Sequence, residues 1–307
     1  MKVQPDRTEE LRRALATRLT RLLGSAERQV TAIPRLTLHR RTAPTPPCHL
    51  TYEPGVIVVA QGRKQVRLGT KYLVHDPSCY LLTSVDLPTV ASVTDASEDV
   101  PCLAVSLKLD IAVVREFLSH PDFHLPVGPS GLAISTSLAI TTGPITAEFL
   151  DAWCRLLDLL TKPEDIPWLS GAIEREIVYR LLRGPGGERL RAIATAGDQS
   201  QRTARVSAWI KANYARHLRV EELAELAGMA PSTLHRHFRA LTGMSPLQYQ
   251  KQIRLQAARA RMLADDVDAA TVAFEVGYES ASQFNREYSR LFGQPPVRDV
   301  RKLRSAV

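Results

Sequence analysis

The chain has 307 residues, 44% apolar and 23% charged, enough for one large domain or two of average size. No apolar run approaches the length of a bilayer span, and the N-terminal MKVQPDRTEELRRAL lacks a signal peptide's apolar core, so a cytoplasmic protein without a membrane partner is expected. Cys48, Cys79, Cys102 and Cys154 lie far apart without paired spacing and read as reduced thiols, not a disulfide or zinc framework.

Residues 9–23 place Leu11, Leu15, Leu19 and Leu22 on one helical face. Strand texture follows. Leu36, Leu38 and Arg40 alternate. Val56–Ala60 runs into Gln61-Gly62-Arg63-Lys64, which reads as a turn with solvated charges. Gln65–Leu68, Lys71–Val74, Cys79–Thr83, Val90–Thr94 and Leu103–Leu109 complete a set of short strands separated by turn signals. Such spacing indicates a sandwich or small barrel. After Asp110 the pattern turns helical. Phe149, Trp153, Leu156 and Leu160 form one stripe, and Ile173, Ile177 and Leu181 lie in another helix that stops at Gly184-Pro185-Gly186-Gly187. Their apolar surface exceeds what a barrel flank requires, which points to packing against a second copy. Residues 191–202 read as a linker between a domain at 1–190 and a helical domain at 203–307.

The net charge of +8 is unevenly spread: residues 202–307 hold 17 Lys/Arg against 10 Asp/Glu, while the preceding 201 are near neutral. A basic block on a neutral body points to a polyanion. That block also contains a repeat with a period near 50. Gly228 answers Gly277. Leu234, Phe238 and Leu241 answer Phe284, Tyr288 and Leu291. Gly243 answers Gly293, and Pro246 answers Pro296. Each copy has the parts of a helix-turn-helix: a short helix with small residues, a glycine stop and a second helix. The apolar triplet pins that second helix inward. Ser232, His235, Arg236 and Arg239 then point outward in the first copy, and Ser282, Asn285, Arg286 and Arg290 in the second. These residue types bind phosphates and read base edges. Residues 247–264 contain no Gly or Pro and read as a connecting helix, with Tyr249, Ile253, Ala257, Ala260 and Ala264 as its buried stripe. A helix of that size spans roughly 27 Å, close to one DNA turn.

These segments resemble the AraC/XylS family of bacterial transcriptional regulators. AELAGMAPSTLHRHFRALTGMSPLQYQKQIRL and AFEVGYESASQFNREYSRLFGQPP carry the resemblance over residues 203–302. The first half resembles a domain of one AraC subgroup through YEPGVIVVAQGRKQVRLG, YLLTSVDLP and RLLRGPGGERLRAIA. The resemblance implies a cupin-like jelly roll that senses a signal or dimerises. It places the base-reading positions at Ser232, His235 and Arg236 and at Ser282, Asn285 and Arg286. Ala230 stands where family members often have a capping Ser, and Ser232 where a larger contact residue can stand.

The expected fold is therefore α+β: an antiparallel β jelly roll with flanking helices, then an all-α domain with two helix-turn-helix motifs joined by a long helix. The expected partners are double-stranded promoter or operator DNA, a small-molecule effector, a second copy of the chain, and RNA polymerase. No catalytic residue, metal or cofactor is expected. His39, His49, His75, His120 and His124 include no H-x-H pair, and Ser84, Asp86 and Ser106 have no partnered His. Tyr52, Trp153 and Trp168 read as core aromatics. The competing reading is a small-molecule-binding jelly-roll protein, or a metal-dependent cupin enzyme, with a merely structural helical half.

Overall fold

The computed structural model describes residues 6–69, 71–124, 139–195, 197–265 and 267–304. The Asp6 side chain accepts from the Thr8 N–H and so caps α1 (Arg7–Leu23), which buries Leu15, Leu19 and Leu23. Leu11 and Leu22 are only half-buried, so the expected stripe is rotated toward Leu23.

The strands are β1 (Arg28–Val30), β2 (Leu36–Arg41), β3 (Cys48–Tyr52), β4 (Gly55–Gln61), β5 (Arg63–Leu68), β6 (Lys71–His75), β7 (Cys79–Thr83), β8 (Leu87–Asp95), β9 (Cys102–Lys108) and β10 (Ile140–Pro144). They form two antiparallel sheets, ordered β1-β2-β9-β4-β7-β10 and β3-β8-β5-β6. This is the expected jelly-roll-like pair of layers. β1, β3 and β10 were not legible in the sequence, and all three are edge strands. An edge needs less apolar alternation than a central strand, so its signal is weak. The turn before β5 is also tighter than expected. Gln61 ends β4 and Arg63 already begins β5, so Lys64 lies in the strand rather than in a solvated turn.

Four helices complete this half: α2 (Ile111–Ser119), α3 (Ala147–Asp158), α4 (Ile166–Arg183) and α5 (Gly187–Ala194). α1 lies on β2, β4 and β9 of the six-stranded sheet; α3 packs on α1, and α4 on α3. Phe149, Trp153, Leu156, Ile173, Ile177 and Leu181 are all buried there. The apolar surface expected to face a second copy is therefore occupied within the chain, because α1 supplies a further layer. Trp168 is 82% exposed at the start of α4, against its expected place in the core. The four cysteines are free thiols.

Arg35 ties the layers together. Its backbone has a φ of 69°, the left-handed region that a non-glycine residue seldom occupies. The conformation lets one guanidinium pair with Asp110, at the start of α2, and with the largely buried Glu174 of α4, both at 2.7 Å. Burial raises the pKa of Glu174, and Arg35 opposes that shift.

The helical half contains α6 (Gln199–Ala212), α7 (Val220–Ala227), α8 (Pro231–Thr242), α9 (Pro246–Ala264), α10 (Ala269–Glu275), α11 (Ala281–Phe292) and α12 (Pro296–Arg304). Within the segment 191–202, α5 runs on to Ala194, where it buries Leu190 and Ile193, and α6 starts after the Asp198 cap. One apolar cluster continues from Leu15 through the first helical repeat to Ile253, while the second repeat has its own around Phe284 and Tyr288.

The halves meet at a polar seam. Lys211 of α6 donates to Asp86 at 2.6 Å and to Glu53 at 3.0 Å. The Tyr249 hydroxyl of α9 donates to the Asp86 carbonyl at 2.9 Å, and Thr51 bonds Gln256. Burial disfavours charge on Glu53, but Lys108 and Lys211 outweigh it and hold its pKa below 4.5. Burial likewise opposes charge on Lys211, but Asp86 and Glu53 raise it above 10.5. A depressed carboxylate stabilises above its unfolded value and fails as pH falls through the folded one; a raised lysine stabilises below its unfolded value and fails as pH rises through the folded one. The Glu53–Lys211 pair thus keeps its charge into more acidic solution than a free glutamate does and into more alkaline solution than a free lysine does.

Replacing Arg35 leaves Glu174 buried without its cation. Arg35→Ala is expected to cost about 1–3 kcal/mol in denaturant unfolding. An unchanged midpoint and slope would show that Arg35 is not a fastening point.

Candidate nucleic-acid interface

Each repeat builds its second helix by the same local physics. α7 ends at Gly228, whose φ of 60° suits a left-handed C-cap, and Pro231 opens α8 at its first turn, where a missing N–H costs nothing. In the second copy Gly277 has a φ of 91°, and an added Cβ would lie 2.1 Å from the Ala215 carbonyl oxygen. Only glycine lets α10 turn so close to the segment after α6. Ser280 caps α11 by accepting from the Gln283 N–H, whereas Ala230 offers α8 no side-chain cap.

Leu234, Phe238 and Leu241 are buried under α8, and Phe284 and Tyr288 under α11. The opposite faces then point to solvent. Ser232, His235, Arg236 and Arg239 are exposed, as are Ser282, Asn285, Arg286 and Arg290. Arg290 stands apart. It lines the cleft between the halves, with His49 and Arg67 of the β-domain and Lys251 of α9. His237 is turned inward toward Arg189 and Asp198, and its Nε2 is buried.

α9 holds the two copies in fixed relation, and its buried stripe is not the expected one. Tyr249 and Ile253 are buried on the first repeat, but the stripe then moves to Leu255, Ala258 and Met262; Ala260 and Ala264 are exposed. The reason is that α9 serves two cores on two faces. A capping box at Ser245 and Gln248 fixes its start.

A set of charged residues locks the arrangement. The Tyr288 hydroxyl donates to Asp299 at 2.8 Å, and Arg259 pairs with the same carboxylate, joining α9, α11 and α12. Lys251 pairs with Glu287 at 2.9 Å, which also accepts from the Tyr278 hydroxyl. Arg254 donates to the carbonyls of Tyr214 and Arg216. In sequence these resemble any solvated charges of a basic helix, so no local signal distinguishes them.

The five histidines of the first half are dispersed. His39 bonds Ser106 at 3.0 Å, His49 meets Phe292 edge-on, His75 is buried in β6, and His120 lies beside Asp122. Among the described residues no three His, Cys, Asp or Glu side chains gather as metal ligands, and no helix is long and apolar enough to cross a membrane.

Comparison with known proteins agrees with both halves. The family model described as "AraC-type transcriptional regulator N-terminus" matches residues 32–189, more than half of the chain, and a helix-turn-helix domain model matches 223–302. The HTH-type transcriptional activator RhaS of Klebsiella pneumoniae is 30% identical over 121 residues, 38% of this chain and 43% of that protein. RhaS of Yersinia pestis is 32% identical over 104 residues, 34% of this chain and 38% of that protein. The match thus spans less than half the length of these relatives. Among solved structures, an apo form of a ToxT variant from Vibrio cholerae superposes with a TM-score of 0.56 at 9% identity, covering 87% of this chain and 97% of that one. Wild-type ToxT with an unsaturated fatty acid bound gives 0.56 at 10% identity, covering 86% and 94%. At such identity the likeness is one of fold.

Two outcomes follow from the exposed faces and the missing cap. Arg236→Ala and Arg286→Ala are each expected to cost about 1–3 kcal/mol on the cognate site and to relax preference locally, while Arg301→Ala acts weakly on all sequences. Equal losses on cognate and random DNA would overturn the assignment. Ala230 has the extended backbone of an N-cap, so Ala230→Ser is expected to add about 0.5–2 kcal/mol. Unfolding curves that superimpose would show that no hydroxyl can close that turn.

Proposed function

Because the chain belongs to the AraC-type transcriptional regulators, we propose that it reads a promoter or operator through the outward faces of α8 and α11. The base-reading roles fall to Ser232, His235 and Arg236 in the first copy and to Ser282, Asn285 and Arg286 in the second. Arg239 contacts backbone phosphate. Arg290 joins it there only at the edge of the cleft. The observation that carries this reading is the matched exposure of two polar, basic helix faces, above buried Leu234, Phe238 and Leu241 in α8 and buried Phe284 and Tyr288 in α11, with the 19-residue α9 between them. That helix spans about 28 Å, close to the spacing of successive major grooves on one side of a duplex.

In this reading residues 203–307 are the DNA-binding unit, 1–190 the regulatory unit, and 191–202 the joint between them. The β-domain receives a small-molecule effector, in keeping with the fatty acid bound by ToxT. Self-association brings two such modules to paired sites and raises avidity without new contacts; the exposed Trp168 and Leu169 support a role for the surface of α4. Contact with RNA polymerase would turn occupancy into regulation in the cytoplasm. The protein acts as a regulator and not as an enzyme; the dispersed histidines favour this over the metal-dependent alternative.

Sequencing the DNA that the full chain retains in cells tests the proposal. A shared motif with two half-sites about one helical turn apart is expected, and affinity for it falls steeply with salt as counterions are released. Retained DNA without a motif, bound as tightly at high salt as at low, would overturn it.

A further inference from the structure

One row of side chains crosses the outer face of the four-stranded sheet. In β5, Val66 and Leu68 are buried in the barrel, so Arg67 between them points outward. Strand pairing sets its neighbours. Arg67 lies opposite Val90 of β8 on one side and Tyr72 of β6 on the other, and Val90 lies opposite His49 of β3. His49, Val90, Arg67 and Tyr72 therefore share one face, one from each strand in the order of the sheet.

The second helical repeat stands on one end of this row. Phe292, the last residue of α11, meets the His49 ring edge-on, with 5.3 Å between centroids. Arg290 lies two residues earlier and shares a cleft of about 510 Å³ with His49 and Arg67. Neighbouring strands are about 4.8 Å apart, so Arg67 sits about 10 Å along the row from His49. That distance is within the joint reach of two arginine side chains. The other end of the row is open to solvent, where Tyr72 is 62% exposed.

The cleft is unevenly charged. Arg67, Lys251 and Arg290 line it, against the single carboxylate of Glu287. That carboxylate is taken: it pairs with Lys251 at 2.9 Å and accepts from the Tyr278 hydroxyl. Arg67 and Arg290 have no carboxylate partner among the described residues. Burial, then the charges of Arg67 and Arg259, lower the His49 pKa, so the field of Arg67 extends along the row. Two guanidinium groups facing one cleft repel each other, and a phosphate between them turns that repulsion into attraction. Arg290 also lies one turn beyond Arg286, and both are exposed. A duplex read by Arg286 therefore brings its backbone to Arg290 and to the mouth of this cleft.

We propose that Arg67 of the β-domain binds a backbone phosphate of the DNA next to the one held by Arg290, so that both halves of the chain grip the same duplex. The proposal rests on the regulator reading above and adds a contact from the half whose overall charge is near neutral. A guanidinium can hold two phosphate oxygens at once. Such a contact carries no sequence information, so it adds affinity and orientation on any DNA. It forms only while β5 stands beside α11, and DNA affinity thereby depends on how the two halves are arranged.

The test measures binding of the full chain to its retained DNA motif and to random duplex by anisotropy over a range of salt. Arg67→Gln is expected to weaken both by the same factor, about threefold or more at low salt, and to make the slope of log affinity against log salt shallower by about 0.9, the share of one phosphate. Arg21→Gln removes an exposed cation from α1, which lies on the other sheet, and is expected to change neither quantity. Arg67→Thr, which suits a strand, repeats the test should Arg67→Gln not fold. Neutral methylphosphonates, placed one at a time along the half-site under α11, then locate the contact. At one position the wild-type chain is expected to lose about threefold or more and Arg67→Gln nothing further. An unchanged slope in the folded Arg67 variant, an equal loss in Arg21→Gln, or the absence of any phosphate whose neutralisation spares the variant would overturn the contact. A wild-type chain that binds neither duplex would instead refute the regulator reading on which the contact rests.

Discussion

The constraint on which the helical half depends is that α9 carries two apolar cores on two different faces. A helix advances about 1.5 Å and turns about 100° per residue. The distance and the angle between the repeats are therefore both set by the number of residues from Tyr249 and Ile253 to Leu255, Ala258 and Met262. A change of one residue in that interval would rotate one reading face away from the other. The ion pairs of Asp299 and Glu287 and the reach of Arg254 to the Tyr214 and Arg216 carbonyls defend the same geometry from outside the cores. The Arg259–Asp299 pair is largely buried, and a pair of that kind adds little net stability but is costly to break, and so acts as a device of orientation.

Where the sequence was legible, the reason was periodicity or repetition. Two copies of the same triplet and glycine spacing identify both helix-turn-helix units, because an apolar triplet at i, i+4, i+7 leaves only one face free. The central strands were readable for the same reason. The edge strands β1, β3 and β10 were not, since a strand paired on one side can be polar on both faces. The outward residues could be named because they are defined by exclusion. Arg290 shows the limit: its place on the helix was readable, but the β-domain that flanks it was not.

The cavity between the two sheets, lined by Lys64, His39, Arg41, Arg28, Tyr52 and Glu53 among others, was hidden for a different reason. Lys64 beside Gln61-Gly62 reads as a turn charge, and only the register of β5 turns it inward. His39, Arg41 and Arg28 come from two strands, and Tyr52 and Glu53 from a third and the turn that follows it. No stretch of chain contains this lining; the pairing of β1 with β2 and the facing of the two sheets create it. The helical surface of α3 and α4 was misread for a related reason, since α1, at the far end of the domain's sequence, covers it.

The two reading helices are fastened at opposite ends. The Ala139 N–H donates to the Leu241 carbonyl at 2.8 Å, so the β-domain holds α8 by its last turn, while its first turn begins at the bare Ala230. α11 is held at its first turn by Ser280. On the proposed reading, in which base edges are read from first turns, one head would meet the groove with its loose end and the other with its fixed end. A loose end can adjust to more than one base; a fixed end cannot. On that reading the half-site under α11 would be the stricter one and the half-site under α8 the more permissive, so occupancy could be graded by changes in the DNA under α8.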